Sequence, residues 1–332
     1  MLALRLHRLP LMHEEHSAED LGGDVARLRV AFVNLYFVGK PHPAREASAT
    51  PWALVDTGLS AGTARILEVA AERYGQDSRP AAIILTHGHF DHTGALEPLL
   101  AVWDVPVYAH PLELPFLTGK ADYPPPDPSV GGGLMARLSP LFPKKGLNLG
   151  TQVRELPANG DVPGMPGWRW IHTPGHAPGH VSLFRASDRF LIAGDAVTTT
   201  RNESAYSVLT QEQELNGPPM YFTIDWDNAR RSVATLASLK PEIVATGHGQ
   251  PIRGVQMPEE LARLAEDFDQ RARPEHGRYV EQPAITDEHG VVSLPPRHRS
   301  GGVRWGMLSG VAAAAFASTW LVRRFAKRSR PT

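Results

Sequence analysis

The sequence contains no cysteine. That excludes a disulfide framework, and it removes thiolate from the inventory of metal ligands, so any ion must be held by imidazole nitrogen and carboxylate oxygen. Strong net charge is missing too: 34 Lys and Arg face 35 Asp and Glu, a formal charge of −1. The balance is uneven. Residues 297 to 332 carry eight basic side chains (Arg297, Arg299, Arg304, Arg323, Arg324, Lys327, Arg328, Arg330) and no acid, which leaves 26 basic against 35 acidic residues before them. Nucleic acid needs a basic track that neutralises phosphates, so the acidic body argues against such a partner. No internal repeat is visible, and Met1 to Met12 lacks a long apolar core, so no signal peptide is expected. With 332 residues and 42% hydrophobic content, the chain can bury one substantial core.

What is present is a dense set of ligand-type side chains. The run Thr86-His87-Gly88-His89-Phe90-Asp91-His92 follows the apolar segment Ala82-Ile83-Ile84-Leu85. A strand ending in a tight loop aims alternate side chains at one point, so His87 and His89 face the same way while Asp91 and His92 turn to a neighbouring point. That geometry reads as two adjacent metal positions. Three more apolar runs end in the same residue types: Trp168 to Ile171 before Thr173-Pro174-Gly175-His176, Phe190 to Ala193 before Gly194-Asp195, and Ile243 to Ala245 before Gly247-His248-Gly249. Two cations about 3.5–4 Å apart can share one water, lower its pKa toward neutrality and polarise a carbonyl under attack. No Ser or Cys nucleophile is then required.

With Asp56 in Val55-Asp56-Thr57-Gly58 as a first motif and the HxHxDH run as a second, the chain resembles the metallo-β-lactamase superfamily over roughly residues 25 to 255. His176, Asp195 and His248 match the third, fourth and fifth motifs. The resemblance implies an α/β fold, an αββα sandwich with a two-metal site at one edge of the paired sheets. It also implies the ligand set: His87, His89 and His176 for one ion, Asp91, His92 and His248 for the other, and Asp195 between them. Two zinc ions are expected, with iron or manganese as alternatives. Asp91 and Asp195 are thus the carboxylates of the catalytic centre. Asp56 has no place among the ligands and is expected to accept a hydrogen bond from a ligating imidazole and fix its tautomer; the alternative is a turn that caps a helix. His180 and His110 are expected to be structural or to support the ligands.

Within the superfamily β-lactamases with a Cys in the second metal site are excluded, and those with an all-His first site usually lack the bridging carboxylate that Asp195 offers, so the pattern resembles the glyoxalase II-like hydrolases more closely. The expected reaction is hydrolysis of an ester, thioester or lactone in a small molecule. Glyoxalase II enzymes carry a basic glutathione patch in their C-terminal helices; here Glu259, Glu260 and Asp267 make that region acidic. Quorum-lactone hydrolases often place Tyr three residues after the bridging Asp, where this chain has Thr198. The alternatives are a mononuclear iron persulfide dioxygenase-like oxidoreductase and a non-catalytic, membrane-tethered binding module.

Hydrophobic periodicity predicts one or two strands over Leu28 to Val38, a strand at Trp52 to Val55, and a helix from Leu59 to Tyr74 with Ile66, Ala70 and Tyr74 on its buried face. A second helix is expected from Gly94 to about Val102. Pro111 to Gly150 breaks the rhythm and reads either as a mobile cover over the substrate mouth or as a surface insertion with a packing helix. Tyr206, Met220, Tyr221 and Phe222 are expected to form the other pocket wall. Asp227 should cap a helix running to about Leu239, and 255–272 should be an acidic amphipathic helix.

The domain reading is a hydrolase domain over 1–272, a linker over 273–302, and a transmembrane or membrane-surface helix with a basic tail over 303–332. Trp305 to Val322 holds 18 residues without a charge. At 1.5 Å per residue this reaches about 27 Å, near the thickness of a hydrocarbon core. Gly306, Gly310, Ala314 and Ser318 form a small-residue stripe along which two copies could pair as a homodimer. The expected location is cytoplasmic, membrane-associated through this segment.

Overall fold

Every side chain of Val33–Val38 is buried, yet successive residues belong to different apolar clusters. Leu35 and Phe37 pack with one, Tyr36 and Val38 with another. A strand with period-two alternation can do this only if both faces of its sheet are covered. The computed structural model describes residues 18–42 and 51–297. In it, β1 (Glu19–Gly22), β2 (Val25–Val30), β3 (Val33–Val38), β4 (Ala53–Val55), β5 (Ala82–Ile84), β6 (Val107–Ala109) and β7 (Val153–Glu155) form a seven-stranded sheet in chain order. A second sheet is built from β8 (Trp168–His172), β9 (Val181–Arg185), β10 (Phe190–Ile192), β11 (Ile243–Ala245) and β12 (Ile252–Arg253), in the order β12-β11-β10-β9-β8. A separate hairpin pairs β13 (Ile285–Asp287) with β14 (Gly290–Ser293).

The helices are α1 (Thr63–Tyr74), α2 (Phe90–Thr93), α3 (Leu96–Trp103), α4 (Leu114–Leu117), α5 (Leu134–Leu138), α6 (Ala205–Thr210), α7 (Trp226–Ser238), α8 (Met257–Glu266) and α9 (Phe268–Arg271). Three apolar layers result. Ile66, Val69 and Ala70 of α1 with Leu96 and Leu99 of α3 cover the outer face of the first sheet. Between the sheets, Val55 and Ile84 meet Val181, Phe190, Ile192 and Ala245. Leu191 and Val244 point outward to Trp226, Val233 and Leu236 of α7 and to Leu261 and Leu264 of α8. This is the αββα sandwich the resemblance implies.

Local differences from the sequence reading have identifiable causes. Of the one or two strands expected over 28–38 there are two, β2 and β3, reversed at Ala31, whose φ is 57°. One turn of 3-10 helix, Ser60–Gly62, precedes α1. Asp227 is not the cap of α7; Asp225 is, in extended backbone, with its side chain accepting from the Asn228 N–H at 2.9 Å. The segment 111–150 is anchored by Phe116, Leu117 and Ala136, each fully buried. Tyr206 is 68% exposed and leaves the pocket wall to Tyr221 and Phe222, which are buried. The acidic helix is broken at Asp267 into α8 and α9.

The expected linker is, in its described part 273–297, attached to the body. Tyr279 and Ala284 join the cluster under α7 and α8, the Tyr279 hydroxyl donates to the Pro125 carbonyl at 2.8 Å, and Val291 packs beside Phe116 and Tyr123. The expected membrane helix at 303–332 lies outside the described residues. Among the described residues, no helix is long and apolar enough to cross a membrane.

Candidate metal centre

Five strands of the two sheets end at one edge, and each leads into a candidate residue: β4 into Asp56, β5 into His87 and His89 and then the helical turn α2 that carries Asp91 and His92, β8 into 173–176, β10 into Gly194-Asp195, and β11 into 246–248. Parallel registers set neighbours level, Val55 against Ile84 and Ile192 against Ala245. The side chains therefore arrive at a common depth. Three overlapping triads result, each with ligand atoms within 4.8 Å of one another: His87, His89 and His176; His87, His92 and Asp195; Asp91, His92 and His248. All seven residues are buried.

Asp195 sits in the middle. Its Oδ2 lies 3.2 Å from Nε2 of His248 and 3.5 Å from Nε2 of His176, and its Oδ1 lies 3.6 Å from Nε2 of His92. Nδ1 of His89 is 3.0 Å from Nε2 of His176, and Oδ2 of Asp91 is 3.4 Å from Nε2 of His248. Gly247 makes this convergence sterically feasible. A Cβ there would collide with Oδ1 of Asp195 and sit 2.7 Å from Cε1 of His92.

The hydrogen bonds behind the cluster fix which ring nitrogen faces it. Asp56, held at φ 59°, accepts from the Thr86 N–H at 2.8 Å, from the Thr86 hydroxyl at 2.7 Å and from Nδ1 of His92 at 2.8 Å. Since the Thr86 hydroxyl spends its proton on Asp56, it can only accept from Nδ1 of His87, 3.1 Å away. Nδ1 of His248 donates to the Phe32 carbonyl at 2.9 Å. In all three imidazoles Nε2 is thereby left to face the cluster. His180 is a support as expected: its Nε2 accepts from the Asp195 N–H at 2.8 Å. Its Nδ1 must then donate to Thr173 Oγ1 at 2.8 Å, and the relay continues through Ser182 Oγ at 3.0 Å to the Ala193 carbonyl at 2.9 Å. His110 lies elsewhere, stacked on His172 at 4.0 Å.

Burial, reinforced by neighbouring imidazoles, holds His87 and His176 well below the usual histidine range and His89 down to about 3. They are neutral and offer lone pairs. For His92 and His248, burial acts in the same direction but is outweighed by Asp195, with Asp56 adding to His92 and Asp91 to His248, so both are raised. Burial alone would raise Asp195; His248 and His92 overcome it and hold its carboxyl well below the carboxylate range. The donor set fits divalent cations. His87 Nε2, His92 Nε2, His176 Nδ1 and Asp195 Oδ1 are buried without any hydrogen-bond partner, an arrangement that is costly unless something polar sits among them.

Sequence reasoning missed Glu113. It comes from the 111–150 segment, is fully buried, and bridges the two histidine loops: Oε2 accepts from the Gly88 N–H at 2.9 Å and from the Tyr123 hydroxyl, and Oε1 from the Gly179 N–H at 2.8 Å. The Tyr123 ring stands edge-on to His89 at 4.7 Å. The one available signal was a single charge inside the apolar run Pro111-Leu112-Glu113-Leu114-Pro115-Phe116-Leu117. Burial pushes the Glu113 carboxyl up to about 7 against these hydrogen bonds, from a usual 4.5. Between those values the unfolded chain is ionised while the folded one keeps its proton, so this residue makes stability fall as pH rises. Glu113→Gln should flatten the pH dependence of the metal-free protein between about 4.5 and 7, measured as denaturant midpoints; an unaltered slope would contradict the assignment.

Comparison with known proteins agrees with the site. The family model of the metallo-beta-lactamase superfamily matches residues 29–248. The chain belongs to the metallo-β-lactamase superfamily. It is similar to the probable metallo-hydrolase YflN of Bacillus subtilis (strain 168), 47% identical over 238 residues, covering 72% of this chain and 88% of that protein. A hydroxyacylglutathione hydrolase of Alkalilimnicola ehrlichii is 32% identical over 136 residues, 41% of this chain and 40% of that one. Among solved structures, the Rm3 metallo-beta-lactamase shares the fold at a TM-score of 0.51, with 18% identity over 77% of this chain and 93% of that one. The chain thus has the superfamily's fold and, at one edge of its sheets, a buried His/Asp cluster of the kind that holds divalent metal ions.

Proposed function

We propose that the chain is a dinuclear metal-dependent hydrolase of an ester, thioester or lactone. The observation that carries this reading is the set of three triads joined through His87, His92 and the central Asp195. His87, His89 and His176 would hold one ion, Asp91, His92 and His248 the other, and Asp195 would touch both. Zinc suits three-nitrogen sites with carboxylate completion, and iron or manganese is compatible with the same donors. When bound, the pair supplies a water of lowered pKa and a Lewis acid for the carbonyl oxygen. The protein's part is to fix the donors. Asp56 holds His92 directly and His87 through Thr86, His180 holds the backbone of Asp195, and Phe32 orients His248.

The partial likeness to a hydroxyacylglutathione hydrolase supports transfer of an acyl group to water. Seven converging residues favour two metal positions over the single His/His/Asp position of the mononuclear oxygenase alternative. A panel of ester, thioester and lactone substrates, run on protein reconstituted with zinc, manganese or iron, tests the reading. At least one carbonyl class should turn over only with metal present; oxygen consumption with a persulfide in place of hydrolysis would reverse the assignment.

A further inference from the structure

The ligand cluster is least enclosed at three of its members. His89, Asp91 and His248 keep 5–6% of their surface accessible, whereas His87 and His92 keep none. Aromatic rings flank the cluster at His89. Phe222 lies 4.8 Å from the His89 ring and 6.4 Å from the His176 ring. Phe142, brought in by the 111–150 segment, is 6.1 Å from Phe222 and 5.9 Å from Phe90. Met135 and Met220 pack into the same group. Three chain segments distant in sequence thus build one apolar surface that begins at the histidines. Phe90, Phe142, Met135 and Met220 remain only half-buried on it, and the adjoining Leu141 is 56% exposed. Large apolar groups left partly open beside a polar centre have lost burial that a ligand would restore.

We propose that this surface seats the apolar acyl chain of the substrate, so that the preferred substrates are esters or thioesters of medium-chain alkyl acids. The proposal rests on the hydrolase reading for one point only, that a carbonyl occupies the metal centre. A carbonyl placed beside His89 would set its substituent against Phe222, with Phe90 and Phe142 next to that ring. The half-buried part of this wall is Phe and Met, which match an alkyl chain better than a polar substituent. Each methylene taken out of water contributes up to roughly fourfold; on a half-open wall the gain is about two- to threefold.

The test uses the zinc-loaded full chain and the alkyl carboxylates acetate, butyrate, hexanoate and octanoate, titrated by calorimetry, alongside kcat/KM for the matching p-nitrophenyl esters. Affinity and kcat/KM should both climb by about two- to threefold per methylene. Phe142→Ser should flatten the climb, and Met220→Gln should do the same if the first variant folds poorly. A flat or falling series in the unaltered protein, or an unchanged climb in both folded variants, would overturn the proposal. Tight binding of octanoate without turnover of any ester would remove the hydrolase reading and leave the alkyl seat standing. Turnover with no dependence on chain length would do the opposite.

Discussion

Asp195→Asn should abolish hydrolysis by about 10³-fold or more, roughly 4 kcal/mol of barrier at 1.36 kcal/mol per tenfold, while leaving the fold intact. The expectation follows from what each carboxylate oxygen does. Oδ2 is within 3.5 Å of both His248 and His176, and Oδ1 faces His92. An amide keeps the shape but has one acceptor oxygen, and its NH₂ would point hydrogens at one of the two positions. One ion should be lost outright and the other weakened. Folding should survive because the backbone N–H of residue 195 still donates to His180. Metal content by mass spectrometry and initial rates on the best substrate check this together. Two ions per chain with near-normal rates would mean that Asp195 does not join the two sites.

Asp56→Asn is the second large effect, and it acts without touching an ion. Asn tolerates the left-handed backbone found at this position, φ 59°, so the turn itself is preserved. The amide cannot accept from both Thr86 groups and from Nδ1 of His92. His92 would then carry its proton on Nε2, and His87 would lose its fixed Thr86 acceptor. Metal affinity should fall by about 10–100-fold, the usual range when a group holding a ligating histidine is removed. Activity at limiting metal should fall with it and recover at excess metal. Loss of activity that no excess restores would instead place Asp56 in the chemistry itself.

The convergence of these seven side chains was legible in the sequence because each lies just past a strand run, and the strand ends meet at one edge of the two sheets. Asp56 was legible for the same reason. The support beneath it was not. Glu113 and Gly179 are 66 positions apart, and nothing local to either announces the pairing. His180 was legible as a structural or supporting histidine, but only its bond to the Asp195 N–H and the relay through Thr173 and Ser182 to the Ala193 carbonyl show what it holds. Asp225 and Asp227 are equivalent as cap candidates by composition, and the extended backbone at 225 decides between them. Residues 273–297 read as a linker because Tyr279, Ala284 and Val291 follow no period; their burial partners are Pro125, α7, α8 and Phe116, which tertiary folding alone brings near.

If seven side chains from four strand ends hold two cations that share Asp195, anomalous diffraction from crystals of zinc-loaded protein should show two peaks about 3.5–4 Å apart, one among His87, His89 and His176, the other among Asp91, His92 and His248, with Asp195 reaching both. A single peak at full zinc occupancy, or peaks that leave Asp195 uncoordinated, would rule out a shared two-metal centre.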